Sequence, residues 1–454
     1  MGIVLTLLAF AASWKYGRRS LGAGMAVVLT AGYFYGILRA NFQDSFSFFL
    51  YDFAVLGLYL SRLTLPNALS PRYAKELTTW VRALIGWPIV MAALCALFPQ
   101  HTLIQLVGLR SAIWYLPFLL LGASAVAEDL TLVARTLAVL NLVALVFALG
   151  EYTLGLQRFY PLNATTALIY RCNDVADYSA YRIPATFNNA ASYGSVMIAT
   201  IPWLVARWQM PRMALLERWL FGLAILAAML GVFLCASRST AAILFVLSAL
   251  LAYYLRTRMS YLIAALGFAL LVGYVVSGDN RLQRFTTLQD IDYVEKRIQV
   301  SVNADIIDLM MEYPLGAGLG SAFGTSIPSF LNHLMDQKPL SAENEYARIG
   351  LEQGLVGLTL WLGFVVWLVV HRRPESPPHW KLGYQLMFAY TLISFGTAFI
   401  GCGLLVGIPR TALFLFQIGM LARNYPLPVP GHQSSGKMAN RILHRSTIAA
   451  QQAS

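Results

Sequence analysis

Long apolar runs alternate with short polar stretches along most of the chain. A run of roughly 20 apolar residues can cross a membrane as a helix, whereas barrel strands are shorter and alternate in hydrophobicity. The runs therefore predict an all-α, polytopic integral membrane protein with about 12–13 transmembrane helices. The runs are 21–41, 46–60, 80–98, 103–127, 130–152, 190–206, 219–236, 241–255, 261–277, 347–370, 382–405 and 408–421, with a shorter one at 4–14.

The longest polar interruption covers residues 278–345 and ends where an apolar run begins near Tyr346. Within it, apolar residues recur at every fourth position from Val294 to Met310, with polar residues on the other faces. This period predicts an amphipathic helix in a large loop, ended by Pro314 and the glycines that follow it. We expect reactive groups here, because a polar segment set between membrane helices is a natural place for a functional site.

Basic residues cluster in loops that share one side of the membrane when the spans are counted; the clusters lie at 15–19, 72–75, 207–218, 256–258 and 371–373. An excess of Lys and Arg predicts that this side is cytoplasmic. The opposite side then holds the two longest loops, 151–188 and 278–345, and the junction 237–240. We expect one transmembrane domain, residues 1–425, with both loops on the outer side of the membrane. Residues 426–454 are expected to form a basic, disordered cytoplasmic tail.

Composition supports the same class of protein. The chain is 58% hydrophobic and only 12% charged, with a mean hydropathy of +0.61, whereas a soluble domain has about 25% charged residues. The net charge of +12 is explained by the basic loops, so no nucleic-acid partner is expected. The four cysteines show no metal-ligand spacing, and we expect no metal, no cofactor and no structural disulfide.

Several arginines are placed at span ends on the side opposite the basic loops, against the usual trend. They are Arg238 in the junction 237–240, Arg182 just before a span, and Arg297 on the predicted loop helix, while Arg110 lies inside an apolar stretch. A guanidinium near hydrocarbon needs an anion or access to water. Converging arginines would grip a phosphate or pyrophosphate bidentately. The alternative is that they bind carbonyls or lipid headgroups, which is favoured for Arg110.

Glu343 and Asn344 immediately precede a span on the outer side. A partly desolvated carboxylate could accept a proton from a sugar hydroxyl, and Asn344 could hold that hydroxyl. Equally, both residues could cap the helix. Glu345 and Glu352 are expected to serve that cap and a polar inner face. His333 could be a general base, although a solvated loop histidine is the simpler interpretation.

The order of three sequence signals resembles the O-antigen ligase and Wzy-type polysaccharide polymerase superfamily of bacterial envelope enzymes. The first is the segment 182–189 leading into a span, and the second is the junction 237–241. The third is Arg297 followed by the glycine-containing segment 314–320, Glu343-Asn344-Glu345-Tyr346 and the glycines near 354–357. The resemblance covers about residues 182–360.

The resemblance implies a metal-independent, inverting glycosyltransferase at the periplasmic face of the bacterial inner membrane. Its donor would be a glycan carried on undecaprenyl pyrophosphate, and its acceptor a glycan or a lipid-linked sugar. Arg238, Arg297 and Arg182 would bind the pyrophosphate. The family's ligases tend to have a His-Asn pair where this chain has Glu343-Asn344, which favours polymerisation of surface polysaccharide over ligation to lipid A-core.

Two details of the outer loops add to this hypothesis. The glycines of 316–320 would let the large loop bend over a bulky glycan. Aromatic residues of the loop 151–188 could stack on sugar rings or anchor the chain at the membrane interface; they are Phe159, Tyr160, Tyr170, Tyr178 and Tyr181.

Two other classes of protein fit the same hydropathy. A flippase or transporter for lipid-linked oligosaccharides would also have many spans, but it should show internal symmetry and charge at mid-membrane. A non-catalytic scaffold or sensor would use the large loop to bind a partner. The concentration of polar residues on one outer side favours the enzyme.

Overall fold

Helices make up almost all of the regular structure. A computed structural model describes residues 1–42, 44–64, 75–98, 100–163, 165–172, 181–211, 213–255, 306–322, 327, 329–334, 344–371 and 380–423. Among these residues, six helical segments are long and apolar enough to cross a membrane. The prediction of an all-α, polytopic membrane protein is therefore confirmed.

The α-helices of the described residues are named here in chain order. They are α1 (Gly2–Arg19), α2 (Leu21–Asn41), α3 (Leu50–Leu63), α4 (Lys75–Ala93), α5 (Thr102–Ile113), α6 (Pro117–Ser124), α7 (Ala127–Leu154), α8 (Ala167–Tyr170), α9 (Ala190–Trp208), α10 (Leu215–Leu234), α11 (Arg238–Tyr254), α12 (Ile306–Glu312), α13 (Glu345–Val370), α14 (Lys381–Thr397) and α15 (Arg410–Leu421). Short 3₁₀ helices cover Ser45–Phe49, Cys95–Leu97, Leu156–Arg158 and Ser329–Leu334.

Two predicted spans differ from the structure. The run 103–127 forms two helices, α5 and α6, because the chain turns before Pro117, which starts the second helix. The run 382–405 is helical only to Thr397. The rest is a loop, in which Gly403 has a positive φ of 90°. The predicted run 261–277, most of the loop helix and the tail 426–454 lie outside the described residues.

Hydrogen bonds between helix termini sort the ends of the bundle into two groups. At one end, Gly2 N–H donates to Asp44 Oδ2 (2.7 Å), and Glu345 N–H donates to the Ala398 carbonyl (2.9 Å). We call this the loop end, because the segments 155–172, 181–189, 235–238 and 398–409 lie there. At the other end, Gly22 N–H donates to Asp129 Oδ1 (2.6 Å).

This second end is called the basic end. Its described basic residues include Lys15, Arg18, Arg19, Arg62, Lys75, Arg207, Arg218, Lys381 and Arg423. Hydrogen bonds join distant parts of the chain at this end. An Arg62 nitrogen donates to the Gly17 carbonyl (3.1 Å), and an Arg423 nitrogen donates to the Ala125 carbonyl (3.0 Å). The described members of the basic clusters found in the sequence therefore lie together at one end of the bundle.

Buried polar side chains and glycines hold the helices together. Asn141 of α7 accepts from the Tyr33 hydroxyl (2.7 Å) and donates to the Thr200 hydroxyl (2.8 Å), which joins three helices. Between α6 and α15 the backbones touch, since a Cβ on Gly419 would lie 1.9 Å from the Leu119 carbonyl oxygen. Polar bonds and close backbone approach are what drive helix association in a membrane, where hydrophobic burial gives little advantage.

Candidate functional site

The segment from Arg182 to Asn189 forms one part of the loop end. Ala185 has φ of +51°, which an L-residue other than glycine rarely adopts. Side chains of Glu151 and Tyr160 bind the backbone of this segment: Ala185 N–H donates to Glu151 Oε2 (3.0 Å), and the Tyr160 hydroxyl donates to the carbonyls of Ala185 (2.6 Å) and Phe187 (2.8 Å). A strained backbone persists only where its surroundings fix it, and such positions cluster at functional sites.

The junction between α10 and α11 contains a second strained residue, Ala236, with φ of +48°. Arg238 follows as the first residue of α11. Arg182 is among the charged groups that act on the Cys235 thiol. The first two arginine-containing motifs both lie at the loop end. Cys235 packs against Gly194 of α9, where a Cβ would lie 2.3 Å from Cys235 Sγ, so the junction lies against the helix into which the segment 182–189 leads.

Asn344 begins α13 as its N-cap. Its Oδ1 accepts from the backbone N–H groups of Tyr346 (2.8 Å) and Ala347 (3.2 Å), and the residue is 2% exposed. The helix-cap alternative considered from the sequence is thus realised for this oxygen. Its catalytic role remains a prediction.

A buried ion network that the sequence analysis missed lies directly after the cap. Arg348 donates to Glu345 Oε1 (2.7 Å) and to Glu352 Oε2 (2.5 Å). The three side chains are 3%, 1% and 0% exposed. The spacing of three and four residues between opposite charges on one helix was the available signal.

Glu345 also ties α13 to the loop before α15. Its two oxygens accept from three successive backbone N–H groups, at Gly403 (2.6 Å), Leu404 (3.2 Å) and Leu405 (3.2 Å). Backbone groups in this loop have no helical partner, so the carboxylate satisfies them. The expectation of a helix cap for Glu345 therefore understates its role, because it joins two parts of the loop end.

The helix α13 is broken at Gly354, which has φ of 68° and ψ of −173°. The segment 314–320 packs into this break. Two backbone hydrogen bonds connect them, from Ala317 N–H to the Leu351 carbonyl (2.7 Å) and from Leu355 N–H to the Pro314 carbonyl (2.9 Å). A second carbonyl of α13 at the break, that of Gln353, accepts from the Trp87 indole of α4 (2.7 Å).

The glycines of 316–320 are buried in this contact rather than exposed on a loop. Gly316, Gly318 and Gly320 have φ of 91°, 107° and 78°, which glycine adopts without strain. A Cβ on Gly108 of α5 would lie 2.4 Å from Gly320 N. Their role as a bending cover over a glycan is therefore wrong for this structure: they allow the segment to fit between α5 and α13.

Two further residues are explained by structural contacts. Arg110 forms a bidentate pair with Asp52 of α3, with nitrogen–oxygen distances of 2.5 to 3.0 Å, so its partner is a carboxylate and not the carbonyls or lipid headgroups favoured from the sequence. Tyr160 is fully buried and can neither stack on a sugar nor anchor at the interface. Burial, with a smaller contribution from Glu151, raises the pKa of Tyr160 well above its usual value, so its hydroxyl stays protonated and donates.

Of the three remaining predicted site residues, the structure describes His333. Arg297 and Glu343 lie outside the described residues. His333 is exposed in the 3₁₀ helix Ser329–Leu334. In the described part of the chain, no group of three or more His, Cys, Asp or Glu residues could hold a metal ion.

The fold is that of a polytopic helical membrane protein. The strained residues Ala185 and Ala236 and the buried ion network of Arg348 belong to its loop end. Residues 221–362 match the model of a protein family described as O-antigen ligase. This match supports membership of the O-antigen ligase and polysaccharide polymerase superfamily, which the sequence motifs had indicated. The matched range contains Arg238, Arg297, Glu343, Asn344 and Glu352, but neither Arg182 nor the loop at 403–405. No curated protein matches the chain.

Proposed function

We propose that this protein is an inverting membrane glycosyltransferase. It transfers a glycan from undecaprenyl pyrophosphate to a sugar acceptor, and so polymerises repeat units of a surface polysaccharide. The observation that carries the proposal is the O-antigen ligase match over residues 221–362, which includes Arg238 and the start of α13.

The basic end faces the cytoplasm by the positive-inside rule. The loop end then faces the periplasm of the bacterial inner membrane, where lipid-linked repeat units would be presented. We assign the active centre to the loop end, where Arg182, Arg238 and the start of α13 lie. Residues 1–425 act as one transmembrane unit, and 426–454 remain a cytoplasmic tail.

In the reaction, an acceptor hydroxyl oxygen attacks the anomeric carbon of the donor from the face opposite the leaving group. The bond from that carbon to the pyrophosphate oxygen breaks, and undecaprenyl pyrophosphate leaves with the electron pair. Arg238, Arg297 and Arg182 stabilise the charge that develops on it. Glu343 takes the hydroxyl proton, and Asn344 helps to orient the acceptor. The arginines supply positive charge without a metal.

Ligation of finished chains to lipid A-core is the second candidate, favoured by the description of the matched family. Loss of a polymerase and loss of a ligase should cause different carrier-linked glycans to accumulate. The test is a lipid-linked glycan profile of cells lacking this protein, complemented with wild type, Arg238→Ala, Glu343→Ala or the exposed control Arg158→Ala at matched abundance.

Single-repeat carrier-linked units should accumulate in the deletion strain and in the Arg238→Ala and Glu343→Ala strains, with long chains lost. Finished long chains still on the carrier would identify a ligase instead. An outer leaflet without lipid-linked sugar would indicate a flippase. Normal polymer with both variants, at matched abundance, would refute the site assignment.

A further inference from the structure

Glu151 is a buried carboxyl group that the proposed reaction does not use. It lies in the last turn of α7 and is 3% exposed. Its Oε2 accepts from Ala185 N–H at 3.0 Å, while Oε1 has no hydrogen-bond partner among the described residues. Burying a carboxyl group is unfavourable unless its contacts compensate. The hydrogen bond from Ala185 N–H is therefore the contact that accounts for a carboxyl group at this position.

That contact is with the strained residue of the arginine-containing segment. Ala185 lies three positions after Arg182 and has φ of +51°. Its carbonyl is held by the Tyr160 hydroxyl at 2.6 Å, so Glu151 and Tyr160 fix both sides of one strained residue. Without the acceptor on the N–H side, the residue would be free to return to an ordinary backbone conformation.

The other support of the segment comes from α2. Ile37 N–H donates to the Thr186 carbonyl at 3.1 Å, and a Cβ on Gly36 would lie 2.0 Å from the Phe187 backbone. These contacts begin one residue beyond Ala185. On the other side, Arg182 N–H donates to the Cys172 carbonyl at 3.0 Å. Between these two supports the strained residue Ala185 is held by Glu151 and Tyr160, so a change at Glu151 should act on the backbone that joins Arg182 to Thr186.

We infer that Glu151 is a positioning residue for donor binding: it holds the strained backbone at Ala185 and thereby fixes where Arg182 lies beside the Cys235–Arg238 junction. The inference rests on the proposed function, in which Arg182 binds the pyrophosphate. Glu151 does not touch the donor. It acts through the backbone to which Arg182 is attached.

The test compares full-length Glu151→Ala, Glu151→Gln and the exposed control Glu128→Ala on the same helix, each in lipid nanodiscs. Backbone hydrogen exchange is followed at residues 183–187, and turnover is measured with carrier-linked glycan extracted from a strain lacking this protein. Glu151→Ala should speed exchange there at least about tenfold and raise KM for the donor by about tenfold, the size of one lost buried hydrogen bond. The kcat should change less than twofold, because the chemical groups stay in place.

Glu151→Gln keeps an oxygen that can accept from Ala185 N–H, so it should stay within about twofold of wild type in both measurements. Glu128→Ala should match wild type. If Glu151→Ala does not fold, Tyr160→Phe replaces it, since this change removes the donor to the Ala185 carbonyl and keeps the ring. Unchanged exchange at 183–187 in the folded variant would overturn the inference.

A double-mutant cycle with Arg182→Ala separates this inference from the proposed function. If Glu151 acts through Arg182, the double variant should have the same donor KM as Arg182→Ala alone. Additive losses would overturn the inference even if Arg182 matters. If Arg182→Ala leaves the donor KM unchanged, its proposed role in binding is wrong, and exchange at 183–187 still decides whether Glu151 braces the segment.

Discussion

Replacing Arg348 by Met should be among the most destabilising single changes in this protein. Arg348 is the cation between Glu345 and Glu352, at 2.7 and 2.5 Å, and all three side chains are almost fully buried. Methionine fills a similar volume but leaves two buried carboxylates without their cation. Breaking a buried pair in this way costs about 3–5 kcal/mol. A loss of that size lowers the ratio of folded to unfolded protein by more than about a hundredfold.

The measurement is unfolding of the purified protein in detergent, together with its abundance in membranes. The matched control is Arg158→Met, because Arg158 is exposed and a surface change should stay within about 0.5 kcal/mol. Adding Glu352→Gln to Arg348→Met removes one of the two stranded charges and should recover part of the loss. A stability for Arg348→Met equal to that of Arg158→Met would refute the idea that this network holds α13.

Three further predictions address other parts of the loop end. Gly354→Ala should destabilise by about 1–3 kcal/mol in the same unfolding assay, since the added Cβ would lie 2.4 Å from neighbouring backbone at a φ of +68°, whereas Gly396→Ala has open space and should be tolerated. Asn344→Ala should cost about 1 kcal/mol of stability through the lost cap. An unchanged stability would mean that other groups accept hydrogen bonds from the backbone N–H groups of Tyr346 and Ala347. In spheroplasts, a membrane-impermeant maleimide should label the exposed Cys402 but not the buried Cys235, and labelling of Cys402 only in inside-out vesicles would reverse the proposed orientation.

Most helices could be predicted because long apolar runs leave few alternatives in a membrane. One error occurs where a polar partner distant in sequence outweighs hydropathy. The run 382–405 contains a loop because the backbone N–H groups of Gly403, Leu404 and Leu405 bind Glu345. That partner is nearly 60 residues distant in sequence, and no periodic pattern signals it.

The candidate site shows the same division. Arginines at unexpected span ends could be recognised from charge alone, and two of them, Arg182 and Arg238, lie in segments of the loop end. The role of Tyr160 could not be recognised, because a loop tyrosine has the same sequence signature whether it binds sugar or is buried against Ala185 and Phe187. The glycines of 316–320 were assigned to bending for a similar reason: their positive φ values are visible only once α13 is known to break at Gly354.

The region that matches the O-antigen ligase family cannot be structurally self-sufficient. Residues 221–362 contain Arg348 and Glu345, but the backbone groups that Glu345 binds lie at 403–405, beyond that region. The break at Gly354 is likewise supported by Trp87 of α4. A fragment limited to 221–362 would therefore leave buried polar groups on both sides of its proposed site exposed or without their hydrogen-bond partners. We accordingly expect residues 1–425 to fold and act as one unit, and the isolated fragment to be recovered only as aggregated or degraded protein when it is expressed in membranes.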